Sequence, residues 1–293
     1  MTVATAAQWV EGARPRTLPA AIAPVVVGAG LAANLDSFIA GRALLALAVS
    51  IALQVGVNYA NDYSDGVKGT DKARVGPIRL VGQGLAPAGH VRLAAFAAFA
   101  VAAVCGLVLV ALTEQWWLLL VGVASIAAAW LYTGGPRPYG YAGLGEVFVF
   151  VFFGLVPVVG TAYVQTLTIT LVDVVASIGV ALLACAILVT NNLRDIKGDV
   201  EAGKVTLAVR LGDANTRRLY AVIVVVAMLV PVILAALVSW WLLVVTVTGL
   251  LALAPLRIVL GGALGPALIP ALKHTGQLLL VYGLVLGLVL ALV

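Results

Sequence analysis

Eight stretches of this 293-residue chain contain no Asp, Glu, Lys or Arg: approximately 17–35, 43–61, 93–113, 115–136, 147–172, 174–193, 219–256 and 274–293. A helix that crosses a bilayer needs roughly 20 predominantly apolar residues. Each stretch supplies about that length, and 219–256 supplies it twice, with Ser239-Trp240-Trp241 at its middle reading as a tight hairpin. The expected fold is therefore an all-α integral membrane protein of nine transmembrane helices, a single membrane-embedded domain over 1–293. Composition leaves little room for anything else. Only 10% of the residues are charged, whereas a soluble domain carries about a quarter. Cys105 and Cys185 fall inside apolar runs and read as small buried hydrophobes, not as a disulfide framework.

The basic residues give an orientation. With a cytoplasmic N-terminus and nine spans, sixteen of the seventeen Lys and Arg fall on the inner side and only Arg42 falls outside. That asymmetry is the one expected of a multi-pass protein of the cell (plasma) membrane. Trp116-Trp117 and Trp240-Trp241 then lie at the outer interface, where tryptophan anchors helices. The net charge of +5 thus describes a cytoplasmic membrane face and implies no nucleic-acid partner. The two long loops, about 62–92 and 194–218, are both cytoplasmic. They follow spans 2 and 6, a spacing that suggests a repeated four-helix unit.

Seven of the twelve acidic residues sit in those two loops, a clustering that the positive-inside rule does not produce. Asn58, Asp62 and Asp65 stand at i, i+4 and i+7 at one span end; Asn191, Asp195 and Asp199 stand at i, i+4 and i+8 at the other. Each set lines one side of a helix with oxygen ligands. Unscreened charge of this kind at the bilayer is unfavourable by about 2.5–3.5 kcal/mol per residue, so a cation is expected between the clusters. Hard oxygen donors suit Mg2+, which takes one or two carboxylates and fills its shell with water and substrate phosphate. Lys68, Lys72, Arg74, Arg79 and Lys204 lie beside the clusters and can meet diphosphate oxygens. His90 and His274 lack partners at metal-ligand spacing and read as interface or helix-end residues.

The two motifs resemble those of the UbiA superfamily of intramembrane aromatic prenyltransferases, over nearly the whole chain. The supporting segments are Ala13-Arg14-Pro15-Arg16-Thr17-Leu18-Pro19, Asn58 to Asp71, Tyr132 to Glu146, Asn191 to Asp195 and Gly203 to Gly212. The Tyr132–Glu146 segment is similar to that of the branch that prenylates 1,4-dihydroxy-2-naphthoate. The first motif departs from the usual superfamily spacing: Gly-Val-Lys follows Asp65, so the last carboxylate is missing and Asp71 lies two residues beyond its place.

The resemblance implies a UbiA-like bundle with polyprenyl diphosphate and 1,4-dihydroxy-2-naphthoate as substrates. Carbon dioxide and diphosphate are lost and demethylmenaquinol is formed. It implies that Asn58, Asp62, Asp65, Asn191, Asp195 and Asp199 hold metal, and that Lys68, Arg74, Arg137 and Lys204 contact diphosphate. Tyr132 and Tyr139 border the allylic cation or the acceptor, or serve as interfacial tyrosines. Arg16 meets the acceptor carboxylate or simply anchors the first span. Glu146 is a candidate proton acceptor. Two rivals stay open: a sister enzyme with another acceptor, such as 4-hydroxybenzoate, and a secondary transporter. Against the transporter, the span interiors are free of charge and the acids gather at one face.

Overall fold

The computed structural model describes residues 4–69 and 78–293, and within them the chain is helical with no strand. A short helix α1 (Ala6–Gly12) and the 3-10 turn Pro15–Thr17 lead into α2 (Pro19–Asn34). There follow α3 (Ala40–Lys68), α4 (Ala88–Thr113), α5 (Leu118–Leu131), α6 (Gly145–Thr166), α7 (Leu171–Glu201), α8 (Leu207–Leu237), α9 (Trp240–Leu260) and α10 (Gly265–Leu292). Seven of these, α3, α4 and α6 to α10, are long and apolar enough to cross a membrane, and α1 with α2, bent by 50°, makes an eighth. The protein is a multi-pass membrane protein. The ninth expected span corresponds to α5, whose 14 residues fall short of the roughly 20 a crossing needs.

The hairpin expected within 219–256 is present. α8 ends at Leu237, Ser239 is extended (φ −162°, ψ 139°), and α9 starts at Trp240 as a 3-10 helix that becomes α-helical at Leu253. The loop boundaries need correcting. α3 runs through Asp62 and Asp65 to Lys68, and α7 runs through Asp195 and Asp199 to Glu201. The acids expected in loops are therefore the last turns of two helices. Charge marks where a helix leaves the hydrocarbon, not where it stops. What stops α3 is Gly69, left-handed at φ 73°, whose N–H caps the last carbonyls. Arg210, Arg217 and Arg218, expected in the second loop, lie on α8, which is kinked at Gly212.

The main core joins α2 and α6 to α10 through residues such as Leu183, Tyr220, Leu234, Tyr282 and Leu286. A smaller one joins α3 and α4 with the segment between them through Tyr59, Leu80, Val91 and Phe99. α2 and α10 touch backbone to backbone: a Cβ on Gly283 would lie 2.6 Å from Ala23 Cβ, and one on Gly287 would lie 2.6 Å from Val26 O. Small residues allow this approach, which is how helices associate where no hydrophobic force acts between them. Arg42 explains its own exception to the charge rule. Its guanidinium donates to Val164 O and Leu112 O, both 2.9 Å, so its charge serves the carbonyl ends of α6 and α4 at the end of the bundle away from the acids.

Candidate active site

Between the two acidic helix ends lies a cavity of about 990 Å3 that continues down the bundle. From α3, Gln54, Asn58, Asn61 and Asp65 reach its wall, and from α7 Asn191, Asn192, Arg194 and Asp199 do so. Lys204 follows α7. Beyond this polar end the wall is apolar, with Leu107 and Val110 of α4, Leu119 and Ile126 of α5, and Phe152 and Val156 of α6.

The first motif does not act as one unit. Asp65, 2% exposed, lines the cavity. Its Oδ1 accepts from the Tyr141 hydroxyl and lies 3.4 Å from Lys204 Nζ. The ammonium of Lys204 also stands 4.5 Å over the Tyr141 ring and that of Lys68 5.0 Å from it, within cation–π range. The backbone completes this junction, since Val205 N–H donates to Tyr141 O at 2.9 Å. Asp62 is turned away from the cavity wall. Its carboxylate accepts from the backbone N–H groups of Leu80 (2.7 Å) and Val81 (3.2 Å), which ties the segment after the first motif back onto α3. Both N–H groups of the Asn58 amide are used, on Ala13 O (2.9 Å) and Thr17 Oγ1 (3.0 Å). Its Oδ1 is left as the atom able to meet a cation.

The second motif divides in the same way. Asp199, 7% exposed, is on the wall. Asp195 is off it, held by Arg194 through two bonds of 2.7 Å, and Arg194 also donates to Asn191 Oδ1 at 2.8 Å. Among the described residues no three His, Cys, Asp or Glu side chains converge on one point, so these residues form no closed metal cage. They provide one wall carboxylate from each motif, with Asn58 and Asn191 beside them. That donor set fits Mg2+, which keeps several waters and is completed by substrate phosphate.

Of the other expected residues, Tyr132 and Tyr139 do line the cavity, edge to face at 5.5 Å. Tyr139 stacks on Phe148 at 3.8 Å and donates to Ala128 O at 2.7 Å. Burial, with Tyr132 adding, pushes its hydroxyl well above the usual phenol range, so it stays neutral. Arg16 is on the wall.

Three of the expected residues lie off the cavity wall. Lys68 is off the wall, its ammonium donating to Thr133 O (2.6 Å) and Gly135 O (3.3 Å). It closes the loop between α5 and α6 against α3. Arg137 is exposed on that same loop, outside the cavity. Glu146 is buried behind the wall, where Asn192 Nδ2 donates to its Oε1 at 3.0 Å. Arg74 and Asp71 lie outside the described residues.

The sequence reading missed several wall residues: Tyr141, Arg194, Gln54, Thr17, Lys273 and His274, with Arg14 given no role beyond orientation. Tyr141 stood inside the Tyr132–Glu146 segment, but nothing in its spacing points to Asp65. His274, read as a helix-end residue, sits on the wall with Nδ1 buried and without a partner.

Residues 21–265 match the family model described as the UbiA prenyltransferase family. A 1,4-dihydroxy-2-naphthoate octaprenyltransferase of Mycobacterium tuberculosis is 53% identical over 284 residues, covering 96% of each chain. The protein of that name from Escherichia coli is 44% identical over 219 residues, 73% of this chain and 71% of that one. In structure, a UbiA homologue from Archaeoglobus fulgidus bound to GPP and Mg2+ superposes with a TM-score of 0.67 at 14% identity, over 95% of this chain and 99% of that one. The chain belongs to the UbiA prenyltransferase family.

Proposed function

We propose that this enzyme transfers a polyprenyl group from polyprenyl diphosphate to 1,4-dihydroxy-2-naphthoate, releasing carbon dioxide and diphosphate and giving demethylmenaquinol for menaquinone synthesis. The observation that carries the reading is the 53% identity, over 96% of both chains, to a protein named for that transfer. The cavity supports it, because one continuous space offers acids and cations at one end and an apolar wall beyond. A prenyl diphosphate has the same two halves.

Asp65 and Asp199, with Asn58 and Asn191, would hold Mg2+, which when bound neutralises charge on the departing diphosphate. The Archaeoglobus relative, bound to GPP and Mg2+, supports the pairing of that metal with this fold. Lys204, with Arg14 and Arg79 on the same wall, meets the remaining phosphate oxygens. Asp62 and Asp195 hold the loop and Arg194 that frame the site. Tyr132 and Tyr139 present aromatic faces where an allylic cation forms, and the apolar wall keeps water from capturing it. Arg16 is placed for the acceptor carboxylate. In the same reading the whole chain is one membrane domain of the plasma membrane. α5, short as it is at 14 residues, carries the chain back across as its ninth crossing, which leaves the N-terminus and both acidic ends cytoplasmic.

The test is purified protein in detergent with Mg2+, a polyprenyl diphosphate and either 1,4-dihydroxy-2-naphthoate or 4-hydroxybenzoate. Prenylated naphthoquinol that disappears on chelation is the expected result. Transfer to 4-hydroxybenzoate alone overturns the acceptor, and transfer to neither overturns the function.

The apolar wall carries its own prediction. Gly106, Gly122 and Gly160 lie on it, from three different helices, and a Cβ at each would meet nothing within 4 Å. A helical glycine that nothing crowds forgoes about 0.5–1 kcal/mol relative to alanine, so these glycines preserve space rather than packing. Gly122→Leu is expected to lower kcat/KM for a donor of eight isoprene units at least tenfold more than for one of two. Equal loss on both donors would show that the tail does not pass α5.

A further inference from the structure

Gln54 lies one helical turn before Asn58 on the same face of α3, is 5% exposed and reaches the cavity wall. Its Oε1 is buried and has no hydrogen-bond partner. A buried amide oxygen left this way is unfavourable by about 1–3 kcal/mol, and such groups are rare.

Rotating the amide does not relieve it, because the neighbouring hydroxyl is already spent. Thr17 Oγ1 gives its single proton to Arg14 O at 2.8 Å. Its two lone pairs then accept from Gln54 Nε2 (2.9 Å) and Asn58 Nδ2 (3.0 Å), which exhausts the capacity of a hydroxyl. A flipped Gln54 would set oxygen against oxygen with no proton between. The Thr17 network therefore holds Oε1 as a pure acceptor on a side chain that lines the cavity.

We propose that Gln54 Oε1 is an acceptor-recognition atom that receives a hydrogen bond from a ring hydroxyl of the aromatic substrate, an inference that rests on the function proposed above. The chemistry of the two substrates selects this partner. A prenyl diphosphate bound through metal and basic groups carries acceptor oxygens and hydrocarbon, with no O–H or N–H to give. A dihydroxynaphthoate has two phenolic donors. Gln54 is also separated along α3 from Asp65 by eleven residues, about 16 Å of helix rise, so it lies down the cavity from the carboxylate at the diphosphate end.

A site built to bond a hydroxyl discriminates strongly against analogues that lack it, because its own polar group is then left without a partner. The experiment measures inhibition constants of 1-hydroxy-2-naphthoate, 4-hydroxy-2-naphthoate and 2-naphthoate against wild type, Gln54→Leu and Gln54→Met. It also measures KM for the prenyl donor and turnover of 1,4-dihydroxy-2-naphthoate by wild type. Wild type should bind one monohydroxy analogue about 10–100-fold more tightly than the other two compounds. Both variants should lose that preference while 2-naphthoate affinity and donor KM stay unchanged. Thermal unfolding should not fall, since an apolar side chain removes the unsatisfied oxygen. A preference that survives in both variants overturns the proposal, as does equal weakening of 2-naphthoate and the hydroxylated analogues, which is the mark of a merely structural residue. Wild type that does not prenylate the dihydroxynaphthoate sinks the functional reading itself, a result separate from the inhibitor ratios.

Discussion

Asp65→Asn is expected to lower prenyl transfer about 10²–10³-fold, measured as kcat with both substrates and Mg2+ saturating, and to raise the Mg2+ concentration needed for half-maximal rate. Asparagine keeps the shape and leaves the Tyr141 hydroxyl an oxygen to donate to, so the change is chiefly one of charge on the cavity wall. It has a second effect that must be separated from the first. Lys204, 6% exposed, has its ammonium 3.4 Å from the lost carboxylate, and a buried cation deprived of its partner destabilises a protein by about 3–5 kcal/mol. The single variant should therefore also unfold at lower temperature. The double variant Asp65→Asn with Lys204→Met removes both charges and should recover most of that stability without recovering activity. A folded Asp65→Asn that turns over at the wild-type rate would remove Asp65 from the site.

The divided roles within each motif show what a sequence can and cannot reveal here. Asn58, Asp62 and Asp65 were legible as ligands at one helix end because helical spacing places them near one another. Asp62 and Asp65 nevertheless differ by three residues, about 60° around the helix axis, and neighbouring segments decide which of them faces the cavity. The N–H groups of Leu80 and Val81 claim Asp62; Tyr141 and Lys204 claim the direction of Asp65. Leu80 and Val81 lie 18 and 19 residues from Asp62, and Tyr141 and Lys204 lie 76 and 139 residues from Asp65, so no local pattern contains them. The same holds for Glu146, whose acidity was visible while its burial against Asn192 was not. Membrane character and the Ser239 hairpin were legible because they depend on the composition of consecutive residues. α5 was overestimated for the same reason, since Tyr132-Thr133-Gly134-Gly135-Pro136 is free of charge yet lies past the end of the helix.

Gly287→Val should prevent or severely impair folding, with purified yield and thermal unfolding as the measurements. The methyl carbons would enter space already filled by Val26, with the carbonyl oxygen of Val26 2.6 Å from the first added carbon. A contact under 3 Å with backbone cannot be relieved by a rotamer change. One helix must instead move off the other, which also separates Gly283 from Ala23 and opens the core around Leu286 and Leu290. Overpacking in a core that can adjust is destabilising by about 1–3 kcal/mol; here, where it cannot, about 3 kcal/mol is a lower bound. At about 2–4 °C per kcal/mol for a chain of 150–250 residues, unfolding should come earlier by roughly 6–12 °C or more. Gly122→Ala is the matched control, because a Cβ there meets nothing within 4 Å. It should be neutral or stabilising by up to about 1 kcal/mol from helix propensity alone. If both substitutions behave alike, the close approach of α2 and α10 does not hold the bundle together, and the glycines of α10 need another explanation. If only Gly287→Val fails, the contact that fixes α2 also fixes the turn before it. Arg14, Arg16 and Thr17 then depend for their place at the cavity on a packing contact at Val26, about nine residues up the helix from the turn and about 14 Å away.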